Sequence, residues 1–371
     1  MNKLYIARLV IGLMFVIPLS AFILPNPEII QGERRKVAAF PDLPDRFTAR
    51  AIKKYFKKIN GYLADRLPFR STMLLIAMKV FKNTNDNQYF CIRGSENWLF
   101  LGNGYVNAID KLQGKLKLSG VTLVEAIKKY VRIRDIAIKR GAKFYLFIGP
   151  NKSSVYPEYL PALVIPAKQR FITPLLTSLK EKGVDVYDPT PALIKAKQAG
   201  SAPLYFKTDS HWNLLGGYEA FQGFLAFAGF ANMPQPLSFV DGPPYSGDAF
   251  DAGGYDFFPL ASDDNRRPIW AQPINISGNL DTIVKNYDPS ERRDPQKIIT
   301  NFNPVSEKIV WVFGDSFRTA LKPYFAATFK ESHFYRQIEF DQIISSQLPA
   351  PDLIIWINVE RGLELNYFSG F

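Results

Sequence analysis

Three stretches of this chain are apolar on both faces, short, and closed by turn residues. Lys143 to Ile148 reads KFYLFI, Ile309 to Phe313 reads IVWVF, and Leu353 to Val359 reads LIIWINV. Val184 to Tyr187 is a fourth, shorter one. A strand with no polar face must be covered on both sides, which is the situation of a parallel sheet between layers of helix. Helical spacing falls between these runs: Val121 to Arg140, Phe171 to Lys182, and Asn213 to Ala228, where Leu214, Tyr218, Phe221, Leu225 and Ala228 share one face. The alternation predicts an α/β class with a mostly parallel sheet flanked by helices. With 371 residues, 47% of them hydrophobic, the chain has material for one sizeable domain with appendages or for two smaller ones.

The front of the chain reads differently. Lys3 and Arg8 precede an apolar run from Leu9 to Leu24, interrupted by Gly12, Pro18 and Ser20 and ended by Pro25-Asn26-Pro27. Leu19-Ser20-Ala21 is a poor small-x-small cleavage site, so an uncleaved signal-anchor helix over 1–27 is expected in preference to a cleaved signal peptide. Lys3 and Arg8 on one side face Arg34, Arg35 and Lys36 on the other, and this balance leaves orientation undecided. Residues 28–90 are expected to be a basic, helical juxtamembrane region. Ile52, Tyr55, Phe56, Ile59, Tyr62 and Leu63 follow helical spacing, with Lys53, Lys54, Lys57 and Lys58 on the other face, and a second helix is expected from Ser71 to Phe81. Residues 91–371 form the expected main domain. It opens on a hairpin turning at Gly94 to Asn97 and contains a Pro/Gly/Asp/Asn-rich excursion over 231–300 with little regular structure.

Composition narrows the function classes. The net charge is +12, which suits nucleic acid, anionic lipid, an acidic polymer, or simply a solvated basic surface. Paired zinc-ligand spacings, an aromatic RNA-binding strand and a basic zipper are all missing, so nucleic acid is set aside. The single cysteine, Cys91, cannot close a disulfide within the chain or build a cysteine-ligated zinc site, and two histidines do not suggest a multi-histidine metal centre.

Two short motifs carry chemistry. Gly314-Asp315-Ser316-Phe317 directly follows the strand Ile309 to Phe313, at the end where open α/β sheets place their sites. Taken alone it is also a common turn with a serine cap. Lys207-Thr208-Asp209-Ser210-His211-Trp212-Asn213 precedes a helix. If that segment is extended, Asp209 and His211 point the same way and the carboxylate can hold the imidazole, but Asp209 or Asn213 is equally able to cap the helix. A serine hydroxyl needs a base, and the chain has two histidines. His333 has no neighbouring aspartate, whereas His211 has one two positions away. Ser316, His211 and Asp209 are therefore the expected catalytic set.

At these residues the chain resembles the alginate O-acetyltransferase family of the AlgX/AlgJ type. The resemblance runs through Asp65-Arg66-Leu67-Pro68-Phe69-Arg70, Gly94 to Phe100, Lys152 with Tyr156 to Pro161, Thr208 to Trp212, Gly314 to Phe317, and Glu360-Arg361. It implies an SGNH-hydrolase-like fold in a permuted motif order, with Ser316 as nucleophile, His211 as base and Asp209 as its orienting partner. It further implies a periplasmic catalytic domain held at the inner membrane, a secreted exopolysaccharide as acceptor, no bound cofactor, and acetyl groups supplied by a membrane-bound O-acyltransferase partner. The extra C-terminal carbohydrate module of the AlgX type is not expected. Asn151 is the candidate second oxyanion donor and equally a turn residue; Trp212 and Arg361 are candidates to meet substrate, with Tyr324 a further aromatic for stacking, and both aromatics are more often core residues. Two other readings keep the same residues: a polysaccharide acetyl esterase, and a non-catalytic polysaccharide-binding or assembly component.

Overall fold

The computed structural model describes residues 91–200, 202–230 and 297–365 without a break, with shorter pieces between 29 and 62 and between 236 and 284. Contacts divide the chain into a smaller unit, Met1–Asn87 with Asp251–Pro259, and a larger one, Gln88–Phe250 with Leu260–Phe371. In the smaller unit Ile29–Ile30 pairs antiparallel with Arg35–Lys36, and Ile52, Tyr55, Phe56, Ile59 and Tyr62 are helical, as their spacing predicts. The anchor expected over 1–27 and the helix expected from Ser71 to Phe81 lie outside the described residues. Among the described residues no helix is long and apolar enough to cross a membrane.

The larger unit is built on one six-stranded sheet. Its strands are β1 (Lys143–Gly149), β2 (Asp185–Tyr187), β3 (Ile298–Thr300), β4 (Ser306–Gly314), β5 (Phe329–Arg336) and β6 (Leu353–Val359), in the order β3-β5-β4-β6-β1-β2. All neighbours are parallel except β3, which runs antiparallel to β5 at the edge. The sheet is thus mixed but mostly parallel.

Alternation along each strand sends side chains to two separate cores. Val310, Val312, Ile355, Ile357, Tyr145 and Phe147 point to one face, which is covered by α4 (Leu214–Ala228) and α5 (Lys322–Thr328). Trp311, Phe313, Ile354, Trp356, Phe144 and Leu146 point to the other, covered by α1 (Gly120–Lys139) and α2 (Thr173–Glu181). β6 is buried along its whole length and β4 from Val310 to Gly314, because both cores need them. A further helix, α3 (Thr190–Gln198), packs on the same face as α4.

The stretch 231–300 is more regular than its composition predicts. Pro236–Asp241 pairs antiparallel with Arg266–Trp270, and its last residues form β3. Ile298-Ile299-Thr300 is a β-branched run, a strand signal hidden behind a proline- and aspartate-rich approach. The opening hairpin is as expected: Cys91–Arg93 pairs with Leu99–Leu101, with the turn at Ser95–Asn97.

Candidate active site

β4 ends at Gly314, hydrogen-bonded to β5 on one side and β6 on the other. Asp315 then caps a short 3-10 helix, Ser316–Leu321, by accepting from the Phe317 N–H at 3.0 Å through Oδ1. Its second oxygen accepts from the Val359 N–H at 2.7 Å, which ties the turn to the end of β6. Burial pushes the Asp315 carboxyl up, against the pull of these two N–H groups and of Arg361 and His211. Phe317 is fully buried and lies on Gly149 at the end of β1, where an added Cβ would sit 2.6 Å from its ring. Glycine is required there so that the two strand ends can close on each other. Ser316 is left half-buried at the carboxyl edge of the sheet.

The second motif arrives from the other side of the chain. His211 Nε2 lies 2.6 Å from Ser316 Oγ, and His211 Nδ1 lies 2.6 Å from Asp209 Oδ1. The segment is not extended, as the sequence suggested. It bends through Lys207 to His211, and Asp209 Oδ1 accepts from the His211 backbone N–H at 2.8 Å as well as facing the ring. An aspartate two residues before a histidine folds back on it as an Asx turn, so the pairing survives the change of backbone. Asn213, not Asp209, caps α4, accepting from the Gly216 N–H at 2.9 Å. With Nδ1 facing a carboxylate, the carboxylate-bound tautomer leaves Nε2 as the acceptor for the serine proton.

Other groups hold the two motifs together. The Trp212 indole N–H donates to the Phe317 carbonyl at 3.0 Å across the site. Trp212 is fully buried, so it fastens the His211 segment to the Ser316 segment and is not a sugar-stacking surface; the expectation that it meets substrate is corrected. Tyr324 is likewise buried, with its hydroxyl on the Leu214 carbonyl at 2.7 Å. Lys152 is buried too, and its ammonium donates to the carbonyls of Phe206, Lys207 and Asp209 at 3.0, 2.9 and 2.7 Å.

Asn151 follows β1 and is gripped by two neighbours from the turn after β6. Its backbone N–H donates to Glu360 Oε2 at 2.9 Å, and its Oδ1 accepts from Arg361 Nη1 at 3.2 Å. Because a guanidinium only donates, the contact fixes which end of the amide is oxygen, and Nδ2 is the end with no partner among the described residues. Arg361 also lies over the Phe317 ring, 5.6 Å from its centre, and so borders Ser316 through its neighbour.

Sequence reasoning missed the ion network beneath this turn. Arg170 donates to Glu360 at 2.7 Å and to Asp188 at 2.6 Å, and Ser154 donates to the same Glu360 carboxylate at 2.7 Å. A lone arginine ahead of a helix carries no periodic signal. His333 is buried on β5 between Glu331 and the Tyr335 hydroxyl, stacked on Trp311. It has an acidic neighbour after all, a glutamate, but it faces the opposite core from Phe317. Among the described residues no group of three histidine, cysteine or carboxylate side chains is placed to hold a metal ion.

The fold and the site together define a class: an α/β protein with a mostly parallel sheet and a hydrogen-bonded Ser–His–Asp line at its carboxyl edge. Residues 91–226 match the family described as SGNH hydrolase-like domain, acetyltransferase AlgX. The probable alginate O-acetylase AlgJ of Pseudomonas syringae pv. tomato is 28% identical over 215 residues, covering 53% of this chain and 49% of that protein. The match therefore spans about half the length of that curated relative. Among solved structures, Bacillus cereus PatB1 superposes with a TM-score of 0.50 at 15% identity, over 72% of this chain and 95% of that one. The O-acetyltransferase domain of Pseudomonas putida AlgJ gives 0.48 at 19% identity, over 74% and 92%. Residues 91–226 are thus similar to the SGNH hydrolase-like domain of the AlgX acetyltransferases, and part of the chain is similar to a probable alginate O-acetylase.

Proposed function

We propose that this protein is a polysaccharide O-acetyltransferase that works through an acetyl-Ser316 intermediate. The observation that carries the proposal is the unbroken line from Ser316 Oγ through His211 to the buried Asp209, each step 2.6 Å. His211 Nε2 takes the Ser316 proton as Oγ bonds to the carbonyl carbon of an acetyl donor. The oxygen of the tetrahedral species meets the Ser316 N–H at the start of its helix and the Asn151 amide, whose Nδ2 is turned outward by Arg361. The imidazolium returns the proton to the leaving group. A sugar hydroxyl then gives its proton to His211 and bonds to the acetyl carbon, and the imidazolium returns that proton to Ser316 Oγ as the Oγ–acetyl bond breaks.

The similarity to a probable alginate O-acetylase supports acetyl transfer to a polysaccharide, and the choice of polymer stays open. The same proposal puts the domain on the periplasmic face, held by residues 1–27, where a membrane-bound O-acyltransferase supplies acetyl groups; the apolar run supports the anchor, and the orientation follows the resemblance alone.

Ser316→Ala tests the mechanism. It is expected to fold as the wild type and to lose cleavage of 4-nitrophenyl acetate by about 10⁴-fold or more. A serine-directed sulfonyl fluoride should label the wild type and not the variant. Retained cleavage in the variant rejects the mechanism. Release of acetate with no mass gain on any oligosaccharide makes the enzyme an esterase instead.

A further inference from the structure

Pro161-Ala162-Leu163-Val164-Ile165-Pro166 is a run of apolar residues between two prolines. It turns with the Val164 N–H donating to the Pro161 carbonyl at 2.8 Å. Val164 packs against the core beneath α4 and α5 and roots the loop there. Its two neighbours point the other way: Leu163 is 90% exposed and Ile165 71%. The chain that leaves the helix Ala108–Leu112 runs alongside. The Leu112 carbonyl accepts from the Ala167 N–H at 2.8 Å, and the Gln113 amide donates to the Leu163 carbonyl at 3.2 Å. Leu116, three residues further on, adds another exposed apolar side chain.

A single exposed leucine is ordinary. Here two large apolar side chains flank an inward valine, so neither folds back without uprooting the loop. The charges around them have one sign. Residues 111–124 and 159–170 contain no aspartate or glutamate, and Lys115, Lys117 and Lys168 are exposed within them. Lys115 pairs with Asp110, whereas Lys117 and Lys168 form no ion pair among the described residues. An apolar tip flanked by lysines matches an anionic lipid surface: the side chains enter the headgroup boundary while the ammonium groups stay with the phosphates. A second copy of this chain docking about a twofold axis would instead set these lysines against their own counterparts.

We propose that Leu163 and Ile165, with Lys117 and Lys168 beside them, dock the larger unit on an anionic phospholipid surface. Pro166 and Ala167, at the end of the loop, line a recess that Asn151 and Arg361 also line, so docking keeps that flank of the candidate site near the bilayer. The inference rests on the reading of residues 1–27 as an anchor, which brings lipid within reach, and adds a second contact that depends on lipid charge.

The test puts an environment-sensitive nitrobenzoxadiazole label on the full chain through Ala162→Cys, an exposed position that leaves Leu163 and Ile165 intact. Cys91 is buried, and burial pushes its thiol up to about 12, so it stays unlabelled at pH 7. Val305→Cys, just ahead of β4 at the amino edge of the sheet, is the control position. Vesicles are phosphatidylcholine alone or an equal mixture with phosphatidylglycerol. The label at 162 is expected to brighten at least about twofold on the mixed vesicles and little on phosphatidylcholine, while the label at 305 stays constant. Lys117→Glu with Lys168→Glu, or Leu163→Ser with Ile165→Ser, is expected to remove most of the rise, with a thermal melt reporting a folded chain. A label at 162 that ignores mixed vesicles, an equal rise at 305 or on phosphatidylcholine alone, or a rise that survives both pairs of substitutions overturns the inference. So does a rise without vesicles that grows with protein concentration, which would put a second copy on the loop. The anchor reading is reported separately, by flotation of the chain with vesicles in about 0.5 M NaCl, where contacts made through lysines are screened. A chain that floats there with a silent label at 162 keeps its anchor and loses the docking loop; a chain that brightens in low salt and fails to float in high salt does the reverse.

Discussion

Lys152 holds a charged nitrogen away from water, and the three carbonyl oxygens that satisfy it belong to the segment leading into His211. Its alkyl stem and ammonium also lie near Trp98 and Phe100, at 5.5 and 5.3 Å from the ring centres. The side chain fixes the loop whose Asp209 fixes His211, so it acts on the chemistry through two intermediaries. Lys152→Met keeps the stem and removes the three donors. Its expected effect is a fall in kcat for ester cleavage of about 10²-fold, as for a catalytic group displaced by about 1 Å, with donor KM little changed. Steady-state kinetics beside a thermal melt check this: a KM rise with kcat intact would show that the residue serves donor binding instead. Ser316, His211 and Asp209 were legible in the sequence because nucleophilic chemistry demands those residue types. Lys152 was visible only as part of a family motif, since nothing in the local pattern says that an ammonium will turn inward.

At the level of elements, what could be read was whatever needed two apolar faces. β1 and β6 and the helices α1, α2 and α4 lie within a residue or two of the sequence reading, and β4 starts three residues before it. Two of the missed helices, α3 and α5, carry proline in their first turn, Pro191 and Pro323. Proline is compatible with a helix start, where its missing N–H costs nothing, so neither residue argues against the helix it opens. One element junction makes a pH prediction. Asp352 precedes β6 and accepts from the Ile309 N–H of β4 at 2.8 Å and from Lys308 at 2.7 Å. Burial alone would raise its carboxyl, but the Lys308 ammonium and the Ile309 N–H outweigh burial and hold it below the usual range. A carboxylate lowered in the fold adds stability above its unfolded value, near 4, and loses it as pH falls through the folded value. Urea unfolding is therefore expected to show Asp352→Asn less stable than wild type at pH 7, with the difference shrinking below about pH 4. A gap that persists unchanged at low pH would assign the effect to packing.

At the scale of the whole molecule, the sequence and the fold speak to different distances. The contact between His211 and Ser316 joins residues 105 positions apart, and no local pattern contains it; the sequence supplied only the requirement that they meet. Net charge has the opposite character, being plain in composition but silent about where it acts. A charge of +12 invites an acidic polymer as acceptor, yet Lys111 and Arg170, in the turn region around Asn151 and Glu360, are each paired with carboxylates of the protein itself. Long-range attraction between a basic protein and a polyanion raises encounter rates and weakens as salt screens it, over a Debye length of about 10 Å at 0.1 M. An uncharged acceptor held by hydrogen bonds has no such dependence. Acceptor kcat/KM for a neutral tetrasaccharide is thus expected to change by less than about twofold between 0.05 and 0.5 M NaCl. Any transfer to tetramannuronate should fall several-fold over the same range, because only the outer basic surface draws it in. A steep salt dependence with the neutral acceptor would mean that the surplus charge reaches the site and that the local pairing around Arg170 does not decide what enters.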